Sequence, residues 1–327
     1  MEGNDTPEQS KTKEPEVQEV CSEESAYEYI IQDPRDYITR KGPLSAEEKE
    51  ALKKRRIYEI LNPSAVQAKK AEAEAAAQRD DEGEVLYSCM GFRSVVRISE
   101  HLVVKKAFNI QLSEVANLKF IASNTTIPVP QVHGIRWEDN IPIAIVMDYM
   151  PGRPLDNVWN TLTPNQKQSV SKQLRDFLLQ LHQLKGDYFG AADRGTVVMC
   201  PKIAVISGGP FDSEREFNQW LLDDIPQQIS PSLKHYASYA LTEGHEIIFT
   251  HADFSPRNIL VDENCRVTAL LDWEYAGWYP AWWEHFTAHM NIDDCKGWKE
   301  YLCSSILPPK FEREILGMTF VASLCRR

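Results

Sequence analysis

The stretch Phe249-Thr250-His251-Ala252-Asp253-Phe254-Ser255-Pro256-Arg257-Asn258-Ile259-Leu260-Val261, followed by Leu271-Asp272-Trp273-Glu274, decides how this chain is read. It has the form H-x-D-x-x-x-x-N, and a second aspartate, Asp272, lies 19 residues after Asp253. Short apolar runs flank the polar residues, so a loop between strands can aim several polar side chains at one spot. This set of residue types suits phosphoryl transfer to a hydroxyl. One carboxylate must accept the hydroxyl proton beside the attacking oxygen. Magnesium takes hard oxygen ligands, which an Asn amide oxygen and an Asp carboxylate offer. On this reading Asp253 is the catalytic base, and Asn258 and Asp272 are the metal ligands. Catalysis would come mainly from positioning and charge neutralisation. The bland alternative is a polar loop between buried strands, and four residue types in this order and spacing argue against it. His251 is expected to brace the loop by hydrogen bonding rather than to move protons.

The segment from His251 to Asn258 resembles the catalytic loop of the aminoglycoside phosphotransferase and choline kinase-like family, small-molecule kinases with a protein-kinase-like fold. Leu271-Asp272-Trp273-Glu274, with Gly277 and Pro280 following, is similar to that family's metal-binding motif and the turn after it. The match is best to the large fungal branch of phosphotransferase-family proteins and covers about residues 85–327. The resemblance implies ATP and Mg2+ as cofactors. It also implies a lysine on the third strand that binds the nucleotide's phosphates. Val103-Val104-Lys105 is such a strand, with Lys106 as the rival; strand alternation lets only one of the two point inward. A glutamate on the next helix should hold that lysine, and Glu114 stands nine residues on. Met147-Asp148-Tyr149-Met150, before Pro151-Gly152, resembles the hinge that binds adenine through backbone groups, which makes Met147 and Tyr149 cofactor-binding candidates. The phosphate-covering loop falls at Cys89-Met90-Gly91-Phe92-Arg93-Ser94. Its single glycine departs from G-x-G-x-x-G.

The surrounding pattern agrees. Runs at 85–87, 94–98 and 102–105 are short and rich in β-branched residues, with turn residues between them. Residues 112–123 carry apolar positions at helical spacing, and Pro128 and Pro130 follow. Two further strands are expected at 132–137 and 142–149. Past Gly152 the character is helical: Thr163-Pro164 opens a helix with Val170, Leu174, Phe177, Leu178 and Leu181 on one stripe, and 217–222 belongs to another. After short apolar runs at 247–249 and 267–271, the chain is mostly helical from Trp282. The expected fold is α+β and bilobal, protein-kinase-like, with a small antiparallel β lobe at 85–148 and a larger, mainly helical lobe at 149–327.

Residues 1–84 are expected to be a charged extension. They hold 13 Lys+Arg against 21 Asp+Glu, most of the net charge of −12 of the 327 residues. The first 28 residues have few large apolar side chains, a composition typical of disorder. Ser45-Ala46-Glu47-Glu48 is capping-box-like and precedes a loose helical stripe ending at Pro63. Lys53-Lys54-Arg55-Arg56 reads as a solvated helix face, with anion binding or localisation as the sharper alternative. The acidic balance, pI near 5.2, argues against a general nucleic-acid binder. No apolar run approaches a membrane span, and the N-terminus lacks the features of a signal peptide. Seven scattered cysteines without a C-x-x-C pair fit a reducing compartment, so a cytoplasmic location is expected. The expected partners are a nucleotide and a small hydroxylated substrate.

Other residues invite sharper readings than the pattern supports. Trp278, Tyr279, Trp282 and Trp283 could stack a substrate or a cation, but packing is the expectation. Glu284 and Asp293-Asp294 could bind a cationic substrate, with a solvated face as the expectation. His182 and His289 are read as structural. The different functional class to weigh is a catalytically inactive kinase-like binding or regulatory module, suggested by the glycine-poor loop and the long extension. A peptide substrate is disfavoured, because Pro280 follows Asp272 within eight residues and leaves no usual peptide platform. Which hydroxyl compound accepts, and whether ATP or GTP donates, the motifs leave open.

Overall fold

The computed structural model describes residues 83–89, 93–107, 110–199, 206–291, 295–307 and 310–325. The expectations for residues 1–82, including the capped stripe and the basic run, lie outside the described residues, as do those for Gly91 and Asp293-Asp294.

Five strands form the first sheet: β1 (Glu84–Cys89), β2 (Arg93–Arg97), β3 (Leu102–Ala107), β4 (Val132–Glu138) and β5 (Ile141–Asp148). They pair antiparallel in the order β1-β2-β3-β5-β4. β4 and β5 meet through Asp139 and Asn140, both at positive φ (47° and 62°). A two-residue hairpin needs that conformation to match the strand twist, and Asp and Asn tolerate it better than most residues. The helix α1 (Leu112–Asn124) is inserted between β3 and β4 and buries Glu114, Val115, Asn117, Leu118, Phe120 and Ile121.

The remainder is built mainly of helices: α2 (Leu155–Trp159), α3 (Pro164–Gln183), α4 (Glu214–Asp223), α5 (Pro231–Ala240), α6 (Trp283–Met290), α7 (Trp298–Tyr301) and α8 (Glu312–Cys325). The start of α3 is set by a reciprocal capping box between Thr163 and Gln166, with Pro164 in the first turn. Small sheets thread between the helices: β6 (Arg153–Pro154), β10 (Ile259–Val261) and β11 (Val267–Leu270) in one, β9 (Ile247–Thr250) with β12 (Gly277–Pro280) in another, β7 (Val197–Met199) with β8 (Ile206–Gly208) in a third. The segment at Gly277 to Pro280, read from sequence as a turn, is therefore strand. All four residues are buried, and a Cβ at Gly277 would lie 2.5 Å from the Gly190 carbonyl oxygen. Glycine is what lets the two backbones approach.

One continuous core runs from Val103 and Ile145 of the sheet through Phe120 of α1 to Leu174, Phe249, Trp273 and Trp278. A second core gathers Phe217, Tyr279, Trp282, Trp283 and Val321. The four aromatics from Trp278 to Trp283 are thus packing residues, each about 1% exposed. Among the described residues no helix is long and apolar enough to cross a membrane. The described cysteines Cys89, Cys265, Cys295, Cys303 and Cys325 are free thiols.

Candidate active site

Strand alternation decides between the two lysines. Leu102 and Val104 pack with Ala144 and Val146 on one face of the sheet. Val103 joins the main core on the other, and Lys105 follows Val103 onto that side. Its ammonium lies 2.8 Å from both carboxylate oxygens of Glu114, 2.8 Å from Asp272 Oδ1 and 3.8 Å from Glu274 Oε2. Glu274 is in turn held by Arg93, whose Nη1 donates to Oε1 at 2.6 Å. Oxygens of Glu114, Asp272 and Glu274 all fall within 4.8 Å of one another. Burial alone would pull Lys105 down, but Asp272, Glu114 and Glu274 outweigh it and its pKa is raised. Burial pushes Glu114 up, with Asp272 and Glu274 adding to the effect and Lys105 opposing it. Asp272 goes the other way: burial raises it, but Lys105 dominates and its pKa is lowered. The opposite signs have one cause. Lys105 and Arg93 together carry less charge than the three acids, so the acids compete, and Asp272 is the one on which the pull of Lys105 outweighs burial.

The loop that carries Asp253 leaves β9 at Thr250 and returns through a 3-10 turn, Pro256–Asn258, into β10. Asp253 is nearly buried and receives four donor contacts. Arg257 Nη2 lies 2.7 Å from Oδ1 and 2.8 Å from Oδ2. Asn258 Nδ2 lies 2.8 Å from Oδ2, and Asn291 Nδ2 3.1 Å from Oδ1. Burial raises the Asp253 pKa, while Arg257 and the amide hydrogen bonds oppose it. Asn258 Nδ2 also donates to the Asp253 carbonyl oxygen, which leaves Oδ1 as the end of this amide that can meet a cation. The backbone oxygen of Asn258 accepts from Leu271 N at 2.8 Å, tying the loop to the residue before Asp272.

His251 is a brace. Its Nε2 lies 2.9 Å from the Leu271 carbonyl oxygen, and its Nδ1 accepts from Asp253 N. A carbonyl cannot donate, so the proton is assigned to Nε2. Burial lowers the pKa to about 4, which keeps the ring neutral. Beneath the loop lies Glu284, which accepts from the backbone N–H groups of His251 and Ala252. The solvated-face reading of Glu284 is therefore incorrect. The side chain is 1% exposed, because those two N–H groups would otherwise be buried without an acceptor. Burial raises its pKa to about 7 against the pull of those N–H donors. Ala252 and Asp272 both adopt φ of 64°, a region that costs a non-glycine residue energy and recurs at functional sites.

Met147 is buried in β5, paired with Val103 and Val132. The Tyr149 N–H donates to His101 O at 2.7 Å, and the Arg97 guanidinium stacks 3.9 Å above the Tyr149 ring. That N–H is committed inside the protein, so an adenine would have to use other backbone groups of the segment.

Several functional contacts had no assignment from sequence. Asn117 is fully buried; it donates to the Trp273 and Ala276 carbonyls and accepts from Ala192 N. It sits one helical turn after Glu114, and that spacing was the available signal. Arg257 stands four residues after Asp253, a detectable spacing. Arg93 and Asn291 had no local signal. His182 is half-buried, its Nε2 is buried without a partner among the described residues, and its pKa is lowered to about 4, first by desolvation. His289 lies 3.2 Å from Cys303 Sγ.

A sequence model described as the phosphotransferase enzyme family matches residues 91–302. Clavilactone A biosynthesis cluster protein Y of Ampulloclitocybe clavipes is 26% identical over 52% of this chain and 52% of its own length. The uncharacterized protein YcbJ of Bacillus subtilis (strain 168) is 26% identical over 50% of this chain and 53% of its own. The chain thus spans about half the length of the curated relatives it matches. Among solved structures, the GDP complex of wild-type aminoglycoside 2'-phosphotransferase-IIIa superposes with a TM-score of 0.51 at 13% identity, over 74% of this chain and 82% of that one. At that identity the likeness carries the fold, a bilobal protein-kinase-like one.

Proposed function

This chain belongs to the phosphotransferase enzyme family, and on that premise we propose that it is an ATP- and magnesium-dependent kinase acting on a hydroxyl of a small molecule. The observation that carries this reading is the Lys105 knot. One ammonium joins the sheet, α1 and the loop of Asp272, residues up to 167 positions apart, at a place where phosphates need a cation. Asp253 accepts the acceptor's hydroxyl proton. The acceptor oxygen bonds to the γ-phosphorus as the bond to the bridging oxygen breaks, and that electron pair leaves with ADP. Lys105 binds the phosphates, Glu114 orients Lys105, and the segment from Met147 to Tyr149 holds the base through backbone groups.

A divalent cation fits the groups present. Three clustered carboxylates exceed the charge of Lys105, Asp272 is the most exposed of them, and Asn258 Oδ1 is free to ligate. Magnesium held by Asp272 and Asn258 would supply positive charge to the phosphate oxygens. The same reading divides the chain into an extension at 1–84 and lobes at 85–148 and 149–327. It locates the protein in the cytoplasm, where free thiols persist, with a nucleotide rather than a nucleic acid as partner.

The inactive-module reading draws on the single glycine of the segment 89–94 and the long extension, to which the saturation of Asp253 by four donor contacts adds. Calorimetric titration with ATP and GTP, with and without magnesium, separates the two; GTP is included because one structural neighbour is a GDP complex. Magnesium-dependent binding that Asp272→Ala abolishes supports the kinase. Absence of binding in either protein favours the module.

A further inference from the structure

We infer that the acceptor carries an anionic group, a carboxylate or a phosphate, beside its reactive hydroxyl, and that Arg257 is the residue that reads it. The inference rests on the kinase reading of Asp253 and goes on to the class of substrate.

Both oxygens of Asp253 are occupied. An acceptor hydroxyl must hydrogen-bond to one of them before its proton can move, so a donor has to withdraw. Asn258 is fixed, since its buried amide also holds the Asp253 carbonyl oxygen. Asn291 is anchored at the end of α6: its N–H donates to Thr287 O, and its carbonyl accepts from Lys299 Nζ. Arg257 differs from both. Its side chain is 50% exposed, it engages Asp253 through Nη2 alone, and Nε and Nη1 have no partner among the described residues. Arg257 is therefore the donor that can swing away.

Withdrawal has a cost that depends on the acceptor. Asp253 is nearly buried, and a buried carboxylate stripped of its counter-charge is unfavourable. A neutral acceptor offers Arg257 nothing in exchange. A cationic one meets it as a like charge at close range. An anionic acceptor takes the guanidinium in a bidentate pair while presenting its hydroxyl to Asp253.

The test uses water as the acceptor, so that its proton goes to Asp253 and inorganic phosphate is the product. ADP release from magnesium-ATP is followed for the wild type, Arg257→Gln and Arg257→Lys, with acetate, methyl phosphate or neither. The latch predicts slow hydrolysis by the wild type that an anion accelerates. Arg257→Gln should run faster by roughly tenfold, a part of what a freed general base contributes, and should ignore the anions. Arg257→Lys, which keeps the charge without the bidentate fork, should keep only part of the acceleration. Acetate or methyl phosphate as the better activator distinguishes carboxylate from phosphate. Equal or slower hydrolysis by Arg257→Gln, or no anion effect on the wild type, overturns the inference. In a second arm, a small-molecule extract is incubated with labelled ATP. A labelled product whose unphosphorylated acceptor is neutral or cationic also overturns the inference while leaving the kinase reading intact. Undiminished hydrolysis by Asp253→Asn would bring down the kinase reading itself.

Discussion

The two aspartates at the centre of the site are held in opposite ways. Asp272 shares a buried ammonium with Glu114 and Glu274, so its surroundings contain more acid than base. Asp253 sits among donors only, and the one charged donor is half in solvent. The first arrangement is preset by burial and lacks positive charge, which suits a place that receives a cation and phosphates. The second is complete and must be opened, which suits a place that acts only when an acceptor arrives. In the proposed function the same residue type thus serves two roles because its neighbours differ.

Breaking the preset side should have the largest effect. Lys105→Met leaves three carboxylates without their ammonium, and turnover should fall on the order of 10²–10³-fold, as when a transition-state donor is lost. Stability should fall by roughly 3–5 kcal/mol at neutral pH, the cost of an unpaired buried charge. The loss should shrink as pH falls, because clustered buried carboxylates bind protons more tightly folded than unfolded. Urea melts at pH 8 and pH 5 measure both. A flat difference between the two pH values would mean that the three acids do not share the ammonium.

Glu284→Ala comes next. It removes the acceptor of two buried N–H groups beneath Asp253, at about 1–3 kcal/mol for each. Turnover should drop while ATP affinity holds, since the change reaches the catalytic loop and not the Lys105 cluster. Equal losses in both would show that the two halves of the site are not independent.

The smallest effect lies away from the site and serves as its control. His182 is kept neutral by burial, with a pKa of about 4 against 6.5 unfolded. The unfolded chain therefore takes up a proton between those values and the folded one does not, so this residue's contribution is lost as pH falls from 6.5 towards 4. His182→Leu should gain on the wild type by about 2 kcal/mol between pH 8 and pH 5, with kinetics unchanged. A constant offset across that range would show that His182 is solvated.

How legible the molecule was depended on distance along the chain. The pair Asp253 and Asn258 shares one loop, and their spacing is local. The strands, α1 and the capped start of α3 follow from period and turn chemistry. Lys105 was the candidate over Lys106 from the resemblance, because alternation says that one side chain points inward and not which. Glu284 was misread as solvated for a similar reason. A lone acid on a helix looks the same in sequence whether it faces water or two unpaired N–H groups. The resemblance implied a turn at Gly277 and Pro280, and the burial of this segment as a strand depends on Gly190, 87 residues before Gly277.

By itself the sequence determined which groups are available: two aspartates and an asparagine at set spacings, and a lysine with an acid nine residues on. Local patterns are set by a residue's immediate neighbours, and these residues belong to local patterns. Only the tertiary structure decided which charges meet. Arg93 with Glu274, Asn117 with the loop after Asp272, and Arg257 and Asn291 on Asp253 are settled by how elements pack. Coulomb energy and desolvation depend on distance in space, and distance in space is what the packing of the two lobes creates.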